Sequence, residues 1–568
     1  MRFRATILRI TLAIGLAGLA CSLNAADHYV SPTGKRGNGS IEKPWSLDAA
    51  LRQPRKVKPG DTIWLRGGIY NHPQRMTKFE SGLKGKEGAP ITVRQYPGER
   101  AIINGNITHA IGGWVNYWGI EIMNSLPNRD TPETGPFPRA FFVPDSHGMP
   151  SAFAMSGFDL RAPNVKLINC VIHDCIGGGI GLSATASNAE IYGTLSFYNG
   201  WQGGDRGHGH GLYGQNTHKK TARIEESLFY ANYALGMQAT GTGPVVDNFH
   251  LEGNIFFHNS VLSRRHQGNL LIGPWEGKAQ QITLIRNFIF DPSPSGSDCN
   301  LGYEGGIARA VIEGNYFQTP VRFSPNNEGV ELRDNVFLAD THFLDQELHP
   351  ANHFAAATPQ TNLVEVRPNR YEPGRAHIIV YNWEYRDSVA VNIKGLLPEG
   401  ERFEVRSMQN FLGAPVLEGI YDGEPLILPM TPQPVAKPLT VGPPPSTAPA
   451  FHAFVLLPKP QPTGAPNSPP RLSAIEDQVL RVNGATTPIP FEVSDPETPD
   501  HLLVLSIGSS EPALLPLNRI FLGGSGASRT LMMVPEAGQS GETTVTLSAS
   551  DGIHAVTRTF RLTVNPGD

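Results

Sequence analysis

Short apolar segments recur through the middle of the chain, separated by glycine, asparagine and charged residues. They read NCVIHD from Asn169, TLSFYN from Thr194, SLFYAN from Ser227, NIFFHN from Asn254, NFIFDP from Asn287, NYFQTP from Asn315 and NVFLAD from Asn335. Each segment is rich in β-branched and aromatic residues and is too short to carry an apolar face of helical period. The repeated segments are therefore predicted to be β-strands.

The distance between these segments varies from 20 to 33 residues. A constant strand with a variable period is typical of a parallel β-solenoid, in which coils stack on one another and insertions leave at the turns. The polar residue that opens each segment is expected to form a ladder inside a turn. Its predicted role is structural.

A second strand is predicted after each segment, as in GIGLSA, GLYGQN and LGMQAT. Side chains alternate across a strand, so one row faces inward and the other outward. The predicted inward row is Ile180, Leu212, Leu235, Leu270, Leu301 and Val321. The predicted outward row is Ser183, Tyr213, Gln215, Gln238, Thr240, Glu304 and Arg322. A polar stripe along stacked coils suits an extended polymer.

The pattern changes beyond residue 350. Alternating stretches such as HIIVYNW and FHAFVLLP, separated by proline and glycine turns, predict an antiparallel β-sandwich over residues 350–457. This domain is expected to cap the C-terminal end of the solenoid, which would otherwise expose an apolar coil. A proline-rich linker is predicted over residues 458–470, followed by a further domain over residues 471–568.

The N-terminus carries three arginines, an apolar run and then small residues, which predicts a secretory signal peptide over residues 1–26. Its removal takes away Arg2, Arg4 and Arg9 but no acidic residue, so the formal net charge falls from −4 to −7. That balance argues against a nucleic-acid partner. No later apolar stretch reaches about 18 residues, so no transmembrane segment is predicted. We expect an extracellular, periplasmic or cell-surface protein of a bacterium.

Three stretches precede the repeated coils: HYVSPTGKRGNGSIEKPWSLDAAL, GDTIWLRGGIY and GAPITVRQYPGERAIING. They resemble secreted right-handed parallel β-helix proteins of the pectate-lyase-like superfamily. The resemblance implies such a helix over residues 27–349 and a polysaccharide ligand, since many members are polysaccharide lyases or glycoside hydrolases. Residues 471–568 resemble bacterial cadherin-like or Ig-like domains. The expected fold is all-β: a parallel β-helix, a β-sandwich and an Ig-like β-sandwich.

The glycine-rich stretch GGDRGHGHGLYGQNTHKK, residues 203–220, holds the densest set of candidate catalytic groups. Cleavage of a uronate polymer by β-elimination needs neutralisation of the carboxylate, a base for the C5 proton and an acid for the leaving oxygen. Arg206 or a bound metal could neutralise the carboxylate, His208 or His210 could be the base, and Tyr213 the acid. The two histidines lack a clear third ligand for a transition metal. A polysaccharide lyase acting on an acidic glycan is the preferred hypothesis.

Two other functions stay open. Hydrolysis needs two carboxylates about 5–10 Å apart, and Asp174 and Asp205 lie on neighbouring predicted coils. The GHG tripeptide at residues 207–209 also occurs in polygalacturonases of the same superfamily, but the other motifs of that family are not found. The chain could instead be a non-catalytic glycan-binding or adhesion protein, with the C-terminal domain at the cell surface.

Further residues are predicted to contact the polymer. Arginine side chains suit a carboxylate, and an exposed tryptophan can stack on a sugar ring. The predicted contacts are Arg206, Gln215, Lys219, Gln238, Arg264, Arg265, Trp275, Glu304 and Arg322. No cofactor is required by the sequence. Calcium is a candidate ion for the C-terminal domain because carboxylates are its preferred ligands. The carboxylates in question are Glu476, Asp477, Asp495, Glu497 and Asp551.

Overall fold

A computed structural model of the protein describes most of the chain. The described residues are 25–71, 78–125, 129–132, 142–144, 150–152, 156–217, 220–291, 299–355, 357–439, 441–459, 469–496, 500, 503–550 and 555–566. Most of the predicted signal peptide, residues 1–24, therefore lies outside the described residues. The described part is almost entirely β-structure, which confirms the expected all-β fold class.

The N-terminal domain is a right-handed parallel β-helix whose successive coils contribute strands to three long parallel sheets. The first sheet contains Asp27–Lys35, Thr62–Leu65, Ile91–Gln95, Val115–Trp118, Val165–Ile168, Glu190–Tyr192, Ala222–Glu225, Phe249–Glu252, Ile282–Ile285, Arg309–Glu313 and Gly329–Arg333. The second contains Gly68–Asn71, Ala101–Asn104, Glu121–Met123, Val171–His173, Leu195–Phe197, Leu228–Tyr230, Ile255–Phe257, Phe288–Phe290, Tyr316–Phe317, Val336–Phe337 and His353–Phe354. The third contains Lys78–Ser81, Asn106–His109, Phe158–Leu160, Ile180–Leu182, Leu212–Gly214, Met237–Ala239, Leu270–Ile272, Cys299–Leu301, Val321–Phe323 and Thr341–His342.

Few elements depart from this plan. A short helix, Leu47–Leu51, begins at the Ser46 cap, and two hairpins pair Phe142–Pro144 with Pro150–Ala152 and Trp201–Gln202 with Gly207–His208. Short 3-10 helices occur at Gln346–Leu348, Met408–Asn410 and Leu517–Arg519. Within the described residues, no helix has the length and apolar character needed to cross a membrane.

The predicted polar ladder lies in the turn before the second sheet. Asn254 donates from Nδ2 to Asn287 at 2.9 Å, Asn287 to Asn315 at 2.9 Å, and Asn315 to Asn335 at 2.9 Å. A second ladder, which we did not predict, crosses the turn after the second sheet through Asn199, Asn232, Asn259 and Asn269. Buried amide groups need partners, and the stacked coils supply them. The ladders therefore hold both turns in register.

The predicted second strands form the third sheet. Ile180, Leu212, Leu270 and Val321 point inward and are fully buried, in register with Met237 and Cys299. Leu235 does not hold the predicted strand position, because Met237 pairs with Leu212 and Leu235 precedes the strand. Thr240, predicted to face outward, is buried at 3% exposure, so the outward row is only partly as expected.

The two C-terminal domains are built from antiparallel sheets, except that Gln478–Arg481 pairs parallel with Ala555–Asn565. The sandwich pairs Leu363–Pro368, Ala376–Tyr381, Phe451–Lys459, Arg402–Ser407 and Leu417–Ile420 in one sheet and Ser388–Val391 with Leu426–Pro429 in the other. The last domain has one sheet of Arg471–Leu472, Ile489–Ser494, Ser528–Met533 and Ile520–Ser525 and another of Gln478–Arg481, Ala555–Asn565, Gly541–Ser550 and Val504–Ser509.

Both domains pack on the outer face of the second sheet. Phe257 and Phe290 of the β-helix share an apolar core with Tyr381 and Phe451 of the sandwich, and the rings of Phe290 and Phe451 stack at 4.4 Å. The last domain contributes Phe521 to a smaller core that contains Ile69, Ile102 and Met123 of the helix. The sandwich thus lies along the side of the helix, and the expectation that it caps the C-terminal end is wrong. The C-terminal domains therefore cover the second sheet, and the predicted polar stripe lies on the third sheet.

Candidate functional site

The outer face of the third sheet carries a row of paired positions across the coils. Tyr213 pairs with Gln238, Gln238 with Leu271, and Asn300 with Arg322. Tyr213 is 36% exposed, whereas Leu271 is buried and interrupts the predicted polar stripe. The exposed end of the row lies at Tyr213, within the glycine-rich stretch of residues 203–220.

Residues 201–208 form a tight hairpin beside Tyr213. His208 stacks on Trp201 with ring centroids 5.0 Å apart, and its Nε2 lies 2.9 Å from Asp205 Oδ1. His208 is only 5% exposed. The ring is therefore enclosed by the hairpin, and the role of His208 as the base stays a prediction. His208 and Asp205 hold the hairpin together.

Close backbone packing explains the glycine at position 207. A Cβ atom on Gly207 would lie 2.0 Å from the carbonyl oxygen of Tyr233 and 2.8 Å from Ser263 Oγ. The Gly207 N–H also donates to Ser263 Oγ at 2.8 Å, and Gln267 donates to the Gly207 carbonyl at 2.8 Å. The glycine therefore lets the hairpin lie flat on the next coils.

Replacing Gly207 with alanine is expected to displace the hairpin and lower the free energy of unfolding by about 1–3 kcal/mol, as for overpacked sites. Thermal or denaturant unfolding measures this. Gly442→Ala is the matched control, because a Cβ at Gly442 meets no atom within 4 Å. An equal effect of both substitutions would contradict the packing argument.

His210 is held by a backbone hydrogen bond. The Leu235 N–H lies 3.2 Å from His210 Nδ1. Burial, with smaller effects from the Arg206 and His208 charges, lowers the pKa of His210 to about 3. The ring is therefore neutral at physiological pH, and since a backbone N–H only donates, Nδ1 accepts and Nε2 carries the proton. In this arrangement the Nδ1 lone pair is occupied and Nε2–H is a donor, while the role of His210 as a base stays a prediction.

Tyr213 lies next to that ring. The ring centroids of His210 and Tyr213 are 5.9 Å apart with an interplanar angle of 31°. The phenol group donates to the Thr240 carbonyl at 3.4 Å, as does Gln215 Nε2. Burial raises the pKa of Tyr213, while the hydrogen bond from Gln215 acts in the opposite direction. The structure thus brings together three of the predicted residues, His210, Tyr213 and Gln215.

The predicted cations are placed differently from one another. Arg206 is exposed on the hairpin, 3.1 Å from Asp205, and its charge acts on both His210 and Tyr303. Arg264 forms an ion pair with Asp130 instead of standing free. Arg265 is exposed in the same loop, and Lys219 lies outside the described residues. Arg206 is thus the predicted cation whose charge acts on His210, the neighbour of Tyr213.

Four other predicted contacts lie toward the C-terminal coils. Gln238 is half-exposed beside Tyr213, whereas the Arg322 guanidinium lies 4.5 Å from the ring centre of Phe343. Trp275 is 50% exposed, and its ring packs edge to face on the ring of Tyr303 with the centroids 4.8 Å apart. Glu304 is exposed next to Tyr303. We did not single out Tyr303 from the sequence, although it adjoins Glu304 in the repeat.

Asp174 does not face the third sheet. It follows the second-sheet strand Val171–His173, is 2% exposed, and binds His173 Nδ1 at 2.8 Å and the Leu439 N–H at 3.0 Å. Asp205 is on the exposed hairpin. The predicted pairing of Asp174 with Asp205 across a glycan is therefore wrong, because Asp174 is enclosed under the C-terminal domains.

The calcium hypothesis is not decided by the described residues. Glu497 and Asp551 lie outside them, and Asp477 Oδ1 accepts the Arg561 N–H at 2.7 Å. Within the described part of the chain, no three histidine, cysteine or carboxylate side chains are grouped closely enough to hold a metal ion. Calcium binding and cell-surface association by residues 471–568 stay predictions.

Residues 28–209 match the family model of the Pel9A-like right-handed β-helix region. The chain is similar to the solved structure of pectate lyase Pel9A, with 16% identity and a TM-score of 0.31 over 55% of this chain and 78% of that one. It is also similar to a rhamnogalacturonan lyase, with 14% identity and a TM-score of 0.38 over 58% and 87%. It is similar as well to a mannuronic acid specific family 6 polysaccharide lyase from human gut microbiota, with 15% identity and a TM-score of 0.31 over 58% of this chain and 85% of that one. Among curated proteins, no sequence matches this chain. The family match and the three parallel sheets together show a right-handed parallel β-helix.

Proposed function

We propose that the protein is an exported polysaccharide lyase that cleaves a uronate-containing glycan by β-elimination on the outer face of the third sheet. The adjacency of His210 and Tyr213 at this exposed face, 5.9 Å between ring centroids, carries the proposal. The match of residues 28–209 to the Pel9A-like region supports the same class. The signal-like N-terminus supports export.

Tyr213 is assigned the proton transfers. In its phenolate form it takes the C5 proton, the electrons of the C5–H bond form the C4–C5 double bond, and the C4–O bond breaks. The phenol then returns the same proton to the leaving oxygen, so the enzyme ends in its starting state. One group serves both steps when the proton and the leaving oxygen lie on the same face of the sugar.

His210 and Arg206 are assigned to the substrate carboxylate. Abstraction of the C5 proton places negative charge on that carboxylate, and hydrogen-bond donors already in position stabilise it without reorganisation. The neutral His210 ring supplies the Nε2–H, which its bond to the Leu235 N–H orients. A neutral imidazole acting as an electrophile is known chemistry for a histidine with a lowered pKa. Arg206 adds a full positive charge from the hairpin.

The class of function is tested by incubating the full chain with a panel of uronate-containing and neutral glycans. Unsaturated products that absorb in the ultraviolet are the expected result. New reducing ends without that absorbance would indicate a hydrolase and contradict the proposal. A polymer that stays intact while it binds would indicate a non-catalytic glycan-binding protein and also contradict it.

The rate is expected to rise with pH through the alkaline range. The active form of Tyr213 is deprotonated, and burial raises its pKa above the usual value of about 10. Below that pKa, each pH unit increases the phenolate fraction about tenfold, so kcat/KM is expected to increase about tenfold per unit from pH 7 to pH 10. Initial rates on one polymer measure this, with circular dichroism at each pH as the control for folding. A maximum near neutral pH would contradict the assignment of Tyr213 as the base.

A further inference from the structure

An exposed aromatic pair lies beyond Tyr213 on the same side of the β-helix. Trp275 follows the third-sheet strand Leu270–Ile272, and Tyr303 follows the next strand, Cys299–Leu301. Their rings meet edge to face at 4.8 Å, and half of Trp275 is exposed. This is a large apolar surface that the fold leaves uncovered.

The backbone around the pair is anchored in the coils. The Trp275 N–H donates to the Gly241 carbonyl at 2.9 Å, and the Gly305 N–H donates to the Pro274 carbonyl at 3.0 Å. These bonds join three consecutive turns of the helix. The rings are therefore presented by a rigid support, which lowers the entropy lost when a ligand stacks on them.

The pair is separated from Tyr213 by a distance that suits a polymer. The strands before Trp275 and Tyr303 are the second and third beyond that of Tyr213 in the sheet order. Adjacent strands are about 4.8 Å apart, so the pair lies about 10–14 Å farther along the helix axis. A chain bound at Tyr213 reaches this place with a different sugar residue.

Two carboxylates flank the aromatic rings. Glu276 follows Trp275 and Glu304 follows Tyr303, and both are exposed. Neither forms an ion pair with another residue in the described part of the chain, and Arg206 is the cation whose charge reaches Tyr303. A uronate carboxylate placed here meets two carboxylates against the single charge of Arg206, whereas the hydroxyl groups of an uncharged sugar can donate to both carboxylates.

We infer that Trp275, Tyr303, Glu276 and Glu304 form a subsite for an uncharged sugar residue. Because Tyr213 and Arg206 act on a uronate, the substrate is then a mixed polymer that contains both uronate and neutral sugars. This inference rests on the proposed function and narrows its substrate class. The aromatic faces bind the C–H side of the sugar ring, and the carboxylates select against a second charge.

Binding of two polymers to the full chain, measured by titration calorimetry, tests the inference. Rhamnogalacturonan, in which uronate and neutral residues alternate, is expected to bind more tightly than polygalacturonate. Trp275→Ala is expected to weaken rhamnogalacturonan binding about tenfold, which corresponds to one good aromatic contact of about 1.4 kcal/mol. Tyr385→Ala, which removes an exposed aromatic ring from the sandwich domain, is the matched control and should leave binding unchanged. Glu304→Gln is expected to improve polygalacturonate binding.

Equal or tighter binding of polygalacturonate to the unmodified protein would overturn the inference, as would unchanged rhamnogalacturonan binding by Trp275→Ala. These outcomes are separate from those of the proposed function. If polygalacturonate gives unsaturated products and Trp275→Ala does not change polymer binding, the proposed lyase activity holds and the proposed subsite is contradicted. If Trp275→Ala weakens polymer binding and no polymer gives unsaturated products, the proposed subsite holds and the proposed lyase activity is contradicted.

Discussion

Tyr213→Phe is expected to lower kcat by about a hundred- to ten-thousand-fold, the range typical of removing a general acid–base group. The substitution deletes only the hydroxyl group, which donates a long hydrogen bond of 3.4 Å to the Thr240 carbonyl and accepts one from Gln215. The ring next to His210 is retained, so polymer binding should change little. Formation of unsaturated product and calorimetric binding, measured on the same preparation, separate the two effects.

The control for this experiment is Tyr385→Phe. Tyr385 is also an exposed tyrosine, but it lies in the sandwich domain and has no proposed role in the reaction. Its substitution should leave the rate unchanged. Turnover by Tyr213→Phe within a few-fold of the unmodified protein would show that another group transfers the proton.

Asp174→Ala is expected to destabilise the protein by about 3–5 kcal/mol, the usual cost of removing one partner of a buried ion pair. Asp174 and Glu121 lie on either side of His173, at 2.8 and 3.1 Å from its ring nitrogens. Burial lowers the pKa of His173, but the two carboxylates outweigh that effect and raise it to about 9. Without Asp174, a buried charged ring loses half of its compensation, and the Leu439 N–H loses its acceptor. Denaturant unfolding measures the loss.

Asp174→Asn is the milder companion variant. Asparagine tolerates the left-handed backbone at this position, where φ is +49°, and its side-chain oxygen can still accept from Leu439. Because Asp174 is enclosed beneath the C-terminal domains, the folded fraction of either variant should cleave polymer at the normal rate. A stably folded Asp174→Asn protein without activity would restore Asp174 as a catalytic candidate.

The repeat was readable from the sequence because stacked coils impose one local rule on every turn. Repeated segments such as NIFFHN need a polar residue at the turn and apolar residues inside the coil. Asn254 and its equivalents therefore recur at each coil. The same alternation predicted Tyr213 on the outer face, where it lies. The position of the sandwich was not readable, because both the end and the side of a β-helix offer apolar surface.

The candidate site was only partly predictable for a similar reason. Residues 203–220 signalled a glycine-rich loop with histidines, but burial and hydrogen bonding decide what each histidine can do. His208 stacks inside the hairpin, and His210 is kept neutral with its proton on Nε2. Asp174 follows a repeated strand as predicted, yet the domains that cover the second sheet remove it from solvent.

The sequence by itself determined the all-β class, the stacked coils and the face on which Tyr213 stands, because these follow from local alternation and turn chemistry. Tertiary structure alone decided which sheet the C-terminal domains cover, which carboxylates are buried and which nitrogen of His210 is protonated. Those properties depend on partners far away in the chain, such as Leu439 for Asp174 and Leu235 for His210. Long-range packing sets the electrostatic environment of a side chain, and a local sequence pattern therefore cannot predict it.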